Sequence, residues 1–247
     1  MRAGTLQVGS EEEPYADKMY ITLLGDNTER YWAFTPGIEA GNKNFVVTGT
    51  ANLWGAARDR SSRLRATALP GETKLHVGTG LDWKAGEKIA IAATNMRTMD
   101  LDVCVIKSHD AADGIIECED KLEGFHFGAG QPTDGPGEYG VDMRAEVALL
   151  ERNIEIRAST DDIGTLLGEV WGCRVLVSDY MDVSVTTGTF AYRQGSLNMD
   201  HVGVYNCGQK HTEKAAIKWE GALRAGSLVK NSVVHHGKGW GISIKNS

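Results

Sequence analysis

Val204-Tyr205-Asn206 returns thirty residues on as Val234-His235-His236, and Ile217-Lys218-Trp219 returns twenty-five residues on as Ile242-Ser243-Ile244. Each block is a short run of β-favouring residues that ends where Asn, His or Gly can turn the chain. The intervals leave no room for crossover helices. Strands repeating at such spacing suit successive coils of a parallel β-helix. Alternate residues of each run then point into the bore, which predicts burial of Val202, Val204, Ile217, Trp219, Ile242 and Ile244. The competing reading is a β-sandwich with coincidental spacing.

Working outward, the same strand grammar runs through the chain. Lys18–Leu24, Asn44–Thr48, Thr73–Val77, Lys88–Ala92, Asn153–Arg157 and Cys173–Val177 are short β-rich runs between turn residues. Leu101–Lys107 and Gly114–Cys118, joined by His109-Asp-Ala-Ala-Asp-Gly114, form the clearest hairpin. A Gly- and Pro-rich stretch from Phe125 to Tyr139 reads as a long loop or domain junction. No helical period persists for ten residues, although Arg144 to Glu151 suits a short helix. Thirty glycines against five prolines agree with many tight turns. The fold class expected is all-β.

Hydrophobic residues are 41% and charged residues 24%, which excludes a disordered or collagen-like chain. No apolar run reaches the ~20 residues of a membrane-spanning helix. With 26 basic and 33 acidic residues the net charge is −7, and nucleic acid is excluded as the expected partner. Arg58, Arg60, Arg63 and Arg65 make a local basic cluster, read as the coat of a solvated strand or loop. Met1-Arg2-Ala3-Gly4 leads straight into strand-like sequence, and the last block ends on strand and turn. These ends predict a segment of a longer protein, whose other parts carry any leader, membrane anchor and further chemistry.

Gly9-Ser-Glu-Glu-Glu-Pro14, Leu81–Ile91 and above all Arg144-Ala-Glu-Val-Ala-Leu-Leu-Glu-Arg-Asn-Ile154 resemble the fibrocystin-type proteins. Trp171-Gly-Cys-Arg-Val175, Tyr205-Asn-Cys-Gly-Gln209 and Val234-His-His-Gly237 resemble the start of that family's β-helix. The resemblance implies a β-rich domain named for eight glycines, N-terminally incomplete here, followed by a right-handed parallel β-helix. The division expected is 1–125 for the partial β domain, 126–142 for the connector and 143–247 for the β-helix repeats. It also implies a large extracellular or cell-surface protein, often membrane-anchored and in some members ciliary. A related branch, the cell-surface hyaluronidases, carries the same two modules.

Four cysteines are few for a disulfide scaffold. Counted from a hairpin centre at Ala111, Cys104 falls opposite Cys118, within disulfide reach. Cys173 and Cys207 lie 34 residues apart, a one-coil step that stacks them on one face. Bonded and free states stay equally open for both pairs; bonding would mean an oxidising compartment. No Cys-x-x-Cys spacing supports zinc. There is no complete Asn-x-Ser/Thr sequon either.

A β-helix polysaccharide enzyme needs acids or histidines lining a groove across consecutive coils. Asp200, His201 and His235 are the candidates, with Asp179 and Asp182 beside them. They follow no motif, and Asp and Asn at corners already have a structural task. His235 and His236 are strand neighbours and should face apart, so one metal could not bind both unless a turn intervenes. His236 aligns with the corner residue Asn206 and His235 with the outward Tyr205. No cofactor is indicated. Calcium finds no loop motif at Asp100/Asp102 or Asp161-Asp162. Gly128–Gly137 lacks the Gly-Lys-Ser/Thr of a phosphate cradle and reads as a connector. Trp32, Trp54, Trp171 and Trp240 could stack on sugars, although aromatics in a β-rich chain are usually core.

The reading that follows is a structural or adhesive segment without catalysis of its own, meeting extracellular proteins or glycans, and a membrane only through other parts of the parent chain. A glycan-degrading enzyme, hydrolase or lyase, is the alternative, and a non-catalytic glycan-binding module is the third. The acidic balance weighs against polyanionic glycans.

Overall fold

A computed structural model describes residues 4–25, 33–35, 38–96, 100–128, 142–159, 171–183, 186–210, 212–223 and 226–247. The chain divides into two compact units, Met1–Ala57 with Arg152–Ser247, and Arg58–Glu151. The first unit begins with β1 (Thr5–Val8), β2 (Met19–Leu23), the short pair β3 (Ala33–Thr35) and β4 (Ile38–Glu39), β5 (Asn44–Val47) and β6 (Thr50–Trp54). The second holds β7 (Ser61–Arg63), β8 (Lys74–His76), β9 (Lys88–Ile91), β10 (Asp102–Asp110), β11 (Ile115–Cys118) and β12 (Glu146–Leu149). The first resumes with β13 (Ile154–Ala158), β14 (Arg174–Val177), β15 (Tyr180–Val183), β16 (Phe190–Arg193), β17 (Ser196–Asp200) and β18 (Val202–Tyr205). It ends with β19 (Ile217–Glu220), β20 (Leu228–Lys230), β21 (Val233–His235) and β22 (Ile242–Lys245).

Three parallel sheets build the first unit: β1-β6-β17-β20, β2-β13-β18-β21 and β5-β14-β19-β22. The chain gives one strand to each sheet in turn, so four coils stack as a parallel β-helix. Val204 lies beside Val234 and Tyr205 beside His235, while Ile217 lies beside Ile242 and Trp219 beside Ile244. This is the register read from the repeats. Corners are taken by residues in the left-handed region: His201 and Asn231 at one, Asn206 and His236 at the next, Gly221 and Asn246 at the third. Asn and His tolerate that conformation better than branched residues do.

The bore is apolar. Leu53, Ile154, Ile156, Val175, Val177, Leu197, Val202, Val204 and Ile217 are all fully buried there. Trp219 is only half-buried against this core. Ile242 and Ile244 do not follow the expectation at all, being 53% and 69% exposed. Among the described residues their strand, β22, pairs with β19 alone, which leaves their other flank uncovered.

The compact units depart from the linear division expected at 1–125, 126–142 and 143–247. The first 57 residues complete one coil and start a second, because Met19 pairs with Ile154, Asn44 with Arg174 and Thr50 with Ser196. Residues 58–151 interrupt the second coil between β6 and β13. Asn153 fastens that break: its Oδ1 accepts Ala56 N at 2.9 Å, and its Nδ2 donates to Tyr15 O at 2.6 Å and Asp17 O at 2.9 Å. Most of the Gly/Pro-rich stretch, 129–141, lies outside the described residues.

The second unit is one antiparallel sheet, β7-β12-β9-β10-β11-β8. Its edges approach each other, since Arg65 N donates to His76 O at 2.7 Å and Gly78 N to Ser62 Oγ at 2.8 Å. Leu64, Leu75, Ile89, Ile91, Ile106, Ile116, Val147 and Leu149 fill the interior. Arg144–Glu151 is not a helix. Val147 and Leu149 alternate inward, and strands pair on both flanks, so the two-residue period prevails. Cys104 and Cys118 are bonded, with Cα atoms 5.5 Å apart. Cys118 pairs with Ile106 rather than Cys104, because the hairpin is centred past Ala111, with Asp110 opposite Ile115; the register shift between Ile106 and Ser108 recovers one residue of that difference. Nor is the arginine cluster uniformly solvated: Arg58 lies largely covered between Asp82 at 2.6 Å and Glu87 at 2.9 Å. The hydrogen bond to Glu87 is the chief influence that raises its guanidinium pKa further.

Candidate functional sites on the coil stack

Asp200 ends β17 on the outer face, level with Trp54 and Lys230. Its Oδ1 meets His201 Nδ1 at 2.9 Å and accepts Asn231 Nδ2 at 2.9 Å, while Oδ2 meets Lys230 Nζ at 3.1 Å. Lys230 also reaches Glu11 at 3.3 Å and hangs 5.4 Å from the Trp54 ring centroid. Its ammonium pKa is raised, first by Asp200 and then by Glu11. A glycosidase needs two carboxyl groups flanking a scissile bond. Here the ammonium stands between Asp200 and Glu11, and both oxygens of Asp200 are engaged. The cluster ties successive coils together and leaves no open carboxylate pair.

His235 belongs to the next corner. The left-handed turn at His236 brings the two Nδ1 atoms to 2.9 Å, so a turn does intervene between the strand neighbours. Both rings lie beside Tyr205, with centroids 5.1 and 5.3 Å away. Among the described residues no three His, Cys, Asp or Glu side chains form a group that could hold a metal.

Asp179 is buried and accepts Gly195 N and Leu223 N, each at 3.1 Å, which pins backbone from two further segments. Asp182 lies on β15, 3.9 Å from Arg193. Asp200 and His201 therefore stand together, while His235, Asp179 and Asp182 occupy separate places. Of the carboxylates weighed for calcium, Asp100 accepts Asn95 Nδ2 at 2.6 Å and Asp102 is committed to His126; Asp161 and Asp162 lie outside the described residues.

Cys173 and Cys207 are bonded, with Cα atoms 4.1 Å apart on neighbouring coils. The segment after Cys207 carries a feature the sequence reading passed over. Gln209, Lys210, Thr212, Glu213, Lys238, Gly239 and Trp240 surround a cavity of about 500 Å³. Lys238 N donates to Cys207 O at 2.9 Å and Ala216 N to Trp240 O at 2.8 Å, so backbone bonds hold both walls. Trp240 is 59% exposed. Of the other tryptophans weighed for sugar stacking, Trp54 and Trp171 are half-buried, and Trp32 lies outside the described residues. Trp171 donates to Asn42 Oδ1 at 3.3 Å and sits 5.5 Å from Lys214 Nζ. The available signal was the recurrence of lysine beside the turn in two consecutive coils, at Lys210 and Lys238.

A second missed feature is the outer face of β2 and β13. There the Arg157 guanidinium lies 3.8 Å from the Tyr20 ring centroid and its Nε donates to Thr22 Oγ1 at 3.3 Å. The first sheet carries an amide ladder instead: Asn198 Nδ2 donates to Asn52 Oδ1 at 2.9 Å, and Asn52 Nδ2 to Gln7 Oε1 at 2.7 Å. Both are cross-coil bonds that keep neighbouring strands in register.

The G8 domain family matches residues 1–65. Fibrocystin-L of Homo sapiens is 32% identical over 211 residues, which covers 85% of this chain and 5% of that protein. Fibrocystin of Mus musculus is 25% identical over 246 residues, covering 99% and 6%. The chain thus spans about one-twentieth of the length of these relatives. Among solved structures, the tailspike protein gp49 from Pseudomonas phage LKA1 is similar with a TM-score of 0.31 at 13% identity, over 98% of this chain and 32% of that one. The β-helix assignment stands on the strand pairing of the chain itself.

Proposed function

We propose, for a chain that is fibrocystin-like along most of its length, the role of a non-catalytic, structural or adhesive segment of a large extracellular protein. The observation that carries this reading is the four-coil stack. Three parallel sheets bury one continuous apolar bore, and each coil is supported by its neighbours. Such a stack resists bending because a bend must open its packing and its ladders together. Two disulfides agree with an oxidising, extracellular setting. A place on the ciliary membrane is the finer form of the same proposal.

Catalysis finds less support. Asp200 is saturated with hydrogen bonds beside an ammonium, and His235 stands at a different corner. The test is incubation with hyaluronan and a panel of neutral and acidic polysaccharides, with and without calcium, followed by size-exclusion light scattering. Polymer length should stay unchanged. Shortening that vanishes in Asp200→Asn or His235→Asn would make this an enzyme segment instead.

A further inference from the structure

We propose that the cavity lined by Gln209, Lys210, Thr212, Glu213, Lys238 and Trp240 is a binding site for uronate-bearing glycan. The inference rests on the non-catalytic extracellular reading and names its partner class. A volume of about 500 Å³ falls within the usual range for small-ligand sites and takes one or two sugar rings. The Trp240 indole is largely exposed although its backbone is held by Ala216. A flat aromatic on the turn leading into β22, its carbonyl held by Ala216 N, offers its face to the C–H face of a pyranose.

Charge decides the kind of sugar. Glu213 is engaged by Lys245 at 3.2 Å, and this contact is the first cause of the raised Lys245 pKa. Among the described residues Lys210 and Lys238 carry no ion-pair partner. Two open ammonium groups beside an already neutralised carboxylate make this corner locally basic in a chain of net charge −7. A carboxylate-bearing ring meets both needs at once, with the ring on the indole and the anion on the lysines. The wall also holds Gln209, only 1% exposed, whose Nε2 donates to Gly172 O at 3.2 Å. Its Oε1 has no donor. The acidic total of the chain therefore does not argue against polyanionic glycans at this corner, because steering depends on the local field.

The probe is a hexasaccharide of alternating uronate and N-acetylhexosamine, titrated calorimetrically into the 247-residue chain, with maltohexaose as the neutral control. Binding should be saturable, weakened by salt and absent for maltohexaose. Trp240→Ala and the pair Lys210→Gln/Lys238→Gln should each bind about tenfold more weakly, with an unchanged circular dichroism spectrum. Undiminished binding by folded variants would overturn the site, as would no binding by the wild type. Those results leave the scaffold reading intact. Depolymerisation of the hexasaccharide would sink the scaffold reading, while the variants would still report separately on the cavity.

Discussion

Strands that touch in the coil stack are distant in the chain: Met19 lies beside Ile154, and Thr50 beside Ser196. In the 58–151 unit β9 joins β10 and β10 joins β11 as consecutive strands, while β12 returns to β7 and β9, and β11 to β8, over longer loops. The stack pays a high loop-closure entropy for its pairings, and only the shared apolar bore offsets it. The antiparallel unit has in addition the local β9–β10–β11 meander, and a disulfide across its second hairpin further restricts its unfolded chain. Each unit should therefore respond to a different kind of damage.

The largest effect is expected from Ile156→Ala, which hollows the bore at a fully buried position. A loss of about 3 kcal/mol is expected, read by hydrogen exchange as lost protection in β13 and β18 with β9 and β10 spared. Equal loss in both units would break the distinction between them. Next comes the double change Cys104→Ala/Cys118→Ala. Releasing that loop should cost about 3 kcal/mol or somewhat less, confined to β8–β12, and the same exchange experiment reads it.

Acid gives the smallest response. Burial pushes the Asp102 carboxyl up, but hydrogen bonds from His126 at 2.7 Å and from the Gly124 and Glu123 amides hold it below its ordinary value of 3.8. A depressed folded pKa adds stability that is present above 3.8 and lost as pH falls toward the folded value. Acid titration should loosen β10 in that window, and Asp102→Asn should flatten this part of the profile. A profile unchanged by Asp102→Asn would show that the carboxylate is not what ties this unit to pH.

What the sequence made legible was whatever lay within one uninterrupted coil. Val204/Val234 and Ile217/Ile242 could be aligned because nothing intervenes in their repeats. Asn206 and His236 could be placed at a corner for the same reason. Most of the first coil was illegible because residues 58–151 separate β2 and β5 from their partners β13 and β14, and periodicity cannot see across such a gap. Arg144–Glu151 misled because a strand with two paired flanks can carry helix-compatible residues. Ile242 and Ile244 have the pattern of bore residues, and only the three-dimensional edge reveals their exposure. At the sites, residue type drew attention to Asp200 and His235. The cavity at Trp240 depends on backbone from two coils meeting, which no single stretch displays.

The Asn153 clasp has a consequence for how such chains diversify. It joins the residues on either side of the interruption, so to the stack the whole of 58–151 counts as one corner. Any module whose two ends meet could be grafted there without shifting a single ladder. The clasp makes this corner a socket, where evolution or an engineer can exchange cargo while the helix beneath keeps its register.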